Sequence, residues 1–237
     1  MKIEGKVVMI TGAVRGIGRG LVDAFLKAGA NRVYAASRNL EAYSHPDKRV
    51  IPLQLDVTNQ ESIQSAVKMA GDTQILVNNA GVLEFGNLLE ADRDSFRRNL
   101  EVNLWGNLDM DRAFVPVLAR NGEAAVVNIL TLLSMVSAPG MSAYNASKAA
   151  AWSLGMSLRA TLASQSIPVF NVFPGAVDTD MLAGVEMTKT PPAIVAAAIV
   201  EGLKAGTEDI FPDPMSQTVY DGWKKDHKAV EKQFASM

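Results

Sequence analysis

The chain has no cysteine, so neither a disulfide framework nor a thiolate metal site can be built from it. Its only histidines, His45 and His227, show no zinc-ligand spacing, and no metal is expected. Neither sign of charge prevails. The 23 Lys and Arg against 25 Asp and Glu give a net charge of −2, which supplies no basic footprint for nucleic acid. Charged residues make up only 20% of the chain and hydrophobic ones 48%, a balance that excludes wholesale disorder. Long apolar runs are missing as well. A membrane span needs about 20 such residues, and the first run, Val7–Ile10, follows a charged start and is too short for a signal peptide. The expectation is a cytoplasmic protein with no nucleic-acid and no membrane partner.

What is present is an alternation. Runs rich in β-branched residues lie at Val7–Thr11, Arg32–Ser37, Val50–Leu55, Gln74–Asn78, Ala124–Leu130 and Pro168–Phe173. Helix-like stretches separate them, at Leu21–Lys27, Asn59–Met69 and about 91–119 and 143–165. Strand–helix alternation implies parallel βαβ units and a sheet covered on both faces. Between the second and third runs, Asn39–Arg49 shows little periodicity, so a reduced or missing crossover helix is expected there. No repeat or linker divides the 237 residues, which predicts a single domain over 1–237. Its last part, 211–237, reads as an appendage of that domain.

Thr11-Gly12-Ala13-Val14-Arg15-Gly16-Ile17-Gly18 sits between the first strand and the first helix. Glycines permit a tight turn and a close approach to a pyrophosphate, and the helix N-terminus adds free N–H groups. Four further features follow in order: Asp56 after the third strand, Asn78-Asn79-Ala80-Gly81 after the fourth, Tyr144-Asn145-Ala146-Ser147-Lys148, and Pro174-Gly175-Ala176-Val177-Asp178-Thr179 after the sixth. Together these resemble the short-chain dehydrogenase/reductase family, from Lys6 to about Phe211.

The resemblance implies an α/β fold: one doubly wound (Rossmann) domain of about seven parallel strands with helices on both faces, assembled as a homo-oligomer, dimer or tetramer. It implies a nicotinamide dinucleotide across the carboxyl ends of the strands. Gly12, Gly16, Gly18 and the Ile17 backbone would hold the pyrophosphate. Asp56 and Val57 would contact the adenine, and Asn78, Ala80 and Gly81 would line the ribose side and stabilise the central sheet, with Asn78 and Asn79 also a turn-stabilising pair. Thr179 would bind the carboxamide, with Pro174, Gly175 and Val177 in the same cofactor set. Tyr144 and Lys148 would complete it.

The second strand ends Ala35-Ala36-Ser37-Arg38, without the carboxylate that a ribose 2′-hydroxyl requires. A guanidinium at Arg38 suits a 2′-phosphate, and Arg15 adds a second cation. NADP(H) is therefore expected over NAD(H), with Glu41 the residue that would favour NAD if its loop folded back.

Tyr144 and Lys148 lie four apart, on one helix face. A cation about 4 Å from the phenol would lower its pKa towards the working range. In the family a hydroxyl residue thirteen positions earlier, usually serine, binds the substrate oxygen. Here that position is Thr131, with Ser134 the alternative. Asn103 matches the family asparagine that holds a water behind the lysine. The resemblance thus implies hydride transfer between cofactor and a small-molecule carbonyl or alcohol, with Thr131, Tyr144, Lys148 and Asn103 catalytic. A short lid at about 180–192, with Met181, Leu182, Val185, Met187, Leu83, Phe85 and Met141, suggests an apolar substrate. Two other readings stand beside this one. One is an NADP(H)-binding regulatory protein without turnover. The other is a 3-oxoacyl thioester reductase, for which Arg93, Arg97 and Arg98 would have to form a docking patch for a carrier protein.

Overall fold

A computed structural model describes residues 1–41 and 43–236; Met237, the last residue of the expected appendage, lies outside them. Seven parallel strands form one sheet in the order β3-β2-β1-β4-β5-β6-β7. They are β1 (Val7–Thr11), β2 (Arg32–Ser37), β3 (Val50–Gln54), β4 (Ile75–Asn78), β5 (Ala125–Ile129), β6 (Val169–Val172) and β7 (Asp209–Ile210). Strand order reverses direction between β1 and β4, and that switch point opens a crevice at the carboxyl ends.

The central strands are mostly apolar because helices cover both faces. Side chains alternate across the pleat. Val8, Ile10, Val33, Val77 and Val127 face α1 (Gly16–Lys27) and α6 (Pro192–Ala205), where Leu21, Phe25, Ile199 and Leu203 meet them. Met9, Leu53, Leu76, Val126 and Val169 face α2 (Gln60–Met69), α4 (Asn107–Asn121) and α5 (Ser142–Leu162), against Ile63, Met110, Phe114 and Leu162. Local chemistry fixes the helix starts. Asn59 accepts from the Ser62 amide to open α2, and Asp92 from the Ser95 amide to open α3 (Arg93–Leu100). Between β2 and β3 no helix occurs among the described residues, as the sequence led us to expect.

Two local departures from regular helix shape the site. A π-helical turn, Glu101–Gly106, joins α3 to α4. At its end Gly106 lies so close to Val57 that a Cβ would sit 2.8 Å from Val57 Cγ2. The last helix, α7 (Pro214–Ala235), opens with a capping box between Asp213 and Ser216 and breaks at Asp226, where φ is −155° and ψ 89°. Its second half turns back, bringing Val230 against Gly222.

A buried polar row crosses the centre of the sheet. Asn78, Asn128 and Asn171 stand at matched register on β4, β5 and β6. Asn78 Nδ2 donates to Asn128 Oδ1 at 3.1 Å, and Asn128 Nδ2 to Asn171 Oδ1 at 3.2 Å. Asp111 of α4 closes one end, accepting from Asn78 Nδ2 at 2.7 Å.

Candidate active site

The crevice begins at the glycine turn. Gly12 and Gly16 have φ of +63° and +52°, backbone that favours glycine. A Cβ at Gly12 would lie 3.0 Å from Ala80 Cα, and one at Gly16 3.0 Å from Thr179 Cγ2. A Cβ at Gly18 would collide with the Gly12 carbonyl. The turn is thus held against two other loops, with the N-terminus of α1 open to the crevice. Thr11 and Asn79 do the holding. The Thr11 hydroxyl accepts from the Asn79 and Ala80 amides at 3.0 and 2.9 Å. Asn79 Nδ2 donates to Thr11 O and Gly12 O at 2.8 and 3.0 Å. The turn-stabilising part expected of Asn79 is thus seen, on backbone of another loop, whereas Thr11 was assigned no role although it opens the glycine motif.

Around this cradle the structure gathers Arg15, Ile17, Ser37, Arg38, Asp56, Val57, Ala80, Gly81, Tyr144, Lys148 and Thr179 along one cleft. Asn78 is not among them. It is completely buried and spends its amide on Asp111 and Asn128, so of its two expected roles the structure shows the bracing of the sheet. Pro174, Gly175 and Val177 also stand apart, lining an adjoining apolar cavity instead. Arg15 is already engaged, 3.5 Å from the exposed Asp180. Glu41 lies outside the cleft wall, which leaves Ser37 and Arg38 as its rim at the end of β2. The glycine cradle, free helix N-terminus and cationic rim fit a nicotinamide dinucleotide.

Tyr144 and Lys148 project from the first turns of α5 and are both buried. Lys148 Nζ donates to Ile129 O at 2.8 Å. Burial lowers the Lys148 ammonium to about 8 and pushes the Tyr144 phenol up to about 12, the Thr131 hydroxyl pulling the latter the other way. The expected lowering of the phenol by Lys148 is therefore corrected. The ammonium sits 6.0 Å from the ring centroid and points at a carbonyl, and desolvation wins.

Asn103 occupies the π-helical turn, fully buried. Its Oδ1 accepts from Val82 N, and its Nδ2 donates to Val82 O and to Ser147 Oγ, all at 2.9 Å. The side chain therefore braces the Gly81–Val82 loop against α5, and its main-chain carbonyl accepts from Asn107 Nδ2 at 3.0 Å.

The adjoining cavity holds ≈ 530 Å³. Thr131 lies in its wall, at the start of a 3₁₀ turn (Leu132–Ser134), with its Oγ1 3.3 Å from Pro174 O. Tyr144 lines both the cleft and this cavity, as do Ile17, Leu130, Thr179 and Met181, so the two adjoin along these residues. Ser134 lines neither; it is buried, and its Oγ has no protein partner. Of the residues expected at the apolar wall, Leu83, Met141, Met181, Leu182 and Met187 are there. Val185 is not, and Phe85 is more than half exposed. Met215, Val219 and Phe234 of α7, missed in the sequence, also line it. No helix among the described residues is long and apolar enough to cross a membrane.

A doubly wound parallel sheet, a glycine-cradled crevice at its switch point and a Tyr–Lys pair beside it define an NAD(P)-dependent oxidoreductase. The family model for short chain dehydrogenases matches residues 6–190, and the chain belongs to that family. A curated relative, short chain dehydrogenase pigC of Monascus ruber, is 34% identical over 199 residues, covering 77% of this chain and 66% of the relative. The chain thus spans about two thirds of the length of that relative. Among solved structures, a short chain dehydrogenase from Burkholderia cenocepacia in complex with NADP is 38% identical. It covers 99% of both chains, with a TM-score of 0.94. A 3-ketoacyl-(acyl-carrier-protein) reductase from Brucella melitensis complexed with NADH is 25% identical, with a TM-score of 0.80 over 89% of this chain and 98% of that one.

Proposed function

We propose that this protein is an NADP(H)-dependent reductase that interconverts a neutral, apolar ketone or aldehyde and its alcohol. The observation that carries the reading is Tyr144, shared by the dinucleotide cleft and the apolar cavity, with Thr131 in the cavity wall beside it. When bound, the cofactor supplies the hydride that reduces the carbonyl carbon. Thr131 Oγ1 orients the carbonyl oxygen by hydrogen bonding. Tyr144 donates its phenolic proton to that oxygen as it gains charge. Burial keeps the Tyr144 phenol protonated, the form a proton donor needs, while the Thr131 hydroxyl pulls its pKa back down. Lys148 holds the ribose hydroxyls, and Asn103 fixes the loop and helix between which the proton is replaced. Thr179 binds the carboxamide. One domain, a lid over 180–192, a homo-oligomeric assembly and a cytoplasmic setting complete the reading.

The NADP similarity of the Burkholderia protein and the Ser37–Arg38 rim support the cofactor preference. The Brucella protein's NADH complex stands against reading preference from the fold alone. The carrier-protein reading loses support, because Arg97 is paired with Asp94 at 2.6 Å and Arg98 with Glu84 at 2.5 and 2.7 Å. Against the regulatory reading, Lys148 lines the cleft, Thr131 the cavity, and Tyr144 both.

The test is NADPH and NADH consumption with a panel of neutral ketones. NADPH is expected to give the higher kcat/KM by about tenfold or more, and Arg38→Asp to narrow or invert that ratio. Equal use of both cofactors by the unaltered protein would remove the 2′-phosphate assignment.

A further inference from the structure

The cavity beside Tyr144 is closed on one side by α7, the segment that reads in the sequence as a mere appendage. The helix is tied to the site at its start: the Gly175 amide donates to Asp213 Oδ2 at 2.8 Å. Its break at Asp226 is built, since the Asp226 carboxylate accepts from the Ala229 amide at 3.0 Å and starts the return half. Val230 and Phe234 of that half are buried against Leu132, Val136 and Ala138. Leu132 adjoins Thr131, so Phe234 both lines the cavity and packs on the turn that presents the substrate hydroxyl. Met215 and Val219 of the first half complete the wall. Not one of the side chains lining this cavity carries a charge.

Resting on the carbonyl-reductase reading, we infer that the return half of α7 is the specificity element of this enzyme, with Phe234 limiting substrate size and the uncharged wall excluding anionic carbonyl compounds. A carboxylate or phosphate entering the cavity would lose its hydration and meet no cation. An aromatic or alicyclic ketone would exchange water for Met, Leu and Phe contacts. The substrate class is thus a neutral ketone or aldehyde of one to two rings. Carbonyl compounds that carry a carboxylate or phosphate close to the reacting carbon are excluded.

The experiment is steady-state kinetics with acetophenone, 2-acetonaphthone and 4-carboxyacetophenone, with NADPH affinity measured by fluorescence titration in parallel. The unaltered protein should prefer acetophenone over its carboxylated analogue by on the order of 100-fold in kcat/KM. Phe234→Ala should raise KM for acetophenone about tenfold and spare or improve 2-acetonaphthone, with NADPH affinity nearly unchanged; Phe234→Leu should restore most of the loss. Should Phe234→Ala fail to fold, Phe234→Val keeps an apolar side chain while removing most of the ring and should shift the preference between acetophenone and 2-acetonaphthone in the same direction, by less. Equal effects on both neutral ketones, or turnover of the carboxylated analogue as good as its parent, would overturn the inference and leave the reductase reading standing. NADPH binding without turnover of any ketone would overturn that reading itself, and the inference with it.

Discussion

Thr131 stands where the family resemblance leads one to expect serine, and its surroundings show what the exchange preserves. The hydroxyl lies in the cavity wall, near enough to Tyr144 to oppose the upward pull of burial on the phenol. Val keeps the branched shape and removes only the oxygen. Thr131→Val should therefore lower kcat by about 10²–10³, the usual cost of one donor to a developing oxyanion, while Thr131→Ser retains activity. Ser134→Ala should be nearly silent in the same assay, because Ser134 lines neither cleft nor cavity. The reverse pattern, a dead Ser134→Ala beside an active Thr131→Val, would assign the substrate hydroxyl to the wrong residue. The candidate residues themselves were legible because chemistry ties residue type to spacing, as in the glycine turn and the Tyr144–Lys148 pair. Thr11 was not, because its partners are backbone atoms on another loop, and no local pattern announces such contacts.

Elements carry the site by their closeness to one another. Helix α5 holds Tyr144 and Lys148 near its start and crosses β6 at Gly155, where a Cβ would collide with the Asn171 amide. Gly155→Ala should cost about 1–3 kcal/mol of stability, measured by denaturant unfolding, and depress kcat/KM by tilting the catalytic pair. An unchanged midpoint would mean that α5 rides on the sheet more loosely than this. The same Asn171 ends the polar row that Asp111 begins. Burial raises the Asp111 carboxyl from 3.8 to about 7, the hydrogen bond from Asn78 opposing it. With the folded value above the unfolded one, the stability Asp111 contributes is full below about pH 4. It is lost as pH rises through about 7. Asp111→Asn keeps an acceptor for Asn78 without the charge, so its Tm should gain on the unaltered protein as pH rises from about 4 to 7. A constant difference across that window would count against a neutral buried carboxyl. Element type was legible wherever apolar period and caps agreed, as for α2. It failed for α6, whose run from Pro192 to Ala205 is apolar nearly all round, and for β7, which is only Asp209–Ile210.

At the scale of the molecule, the order of the motifs along the chain was enough to expect the doubly wound sheet, because all but the Tyr144–Lys148 pair on α5 sit at the carboxyl end of a strand and the sheet brings those ends together. The return of α7 was not legible. It depends on Val230 and Phe234 finding Leu132 and Val136, contacts across nearly half the chain. The cleft and the apolar cavity beside it thus draw on distant parts of the sequence and share Tyr144. That junction is the central claim, and Tyr144→Phe addresses it most directly, since the ring still packs and only the proton donor is gone. NADPH affinity by fluorescence titration and NADPH oxidation with a neutral ketone should be measured on the same preparation. Affinity within about twofold of the unaltered protein, with turnover reduced by about 10²-fold or more, is the expected result. Normal turnover by Tyr144→Phe would contradict the mechanism outright.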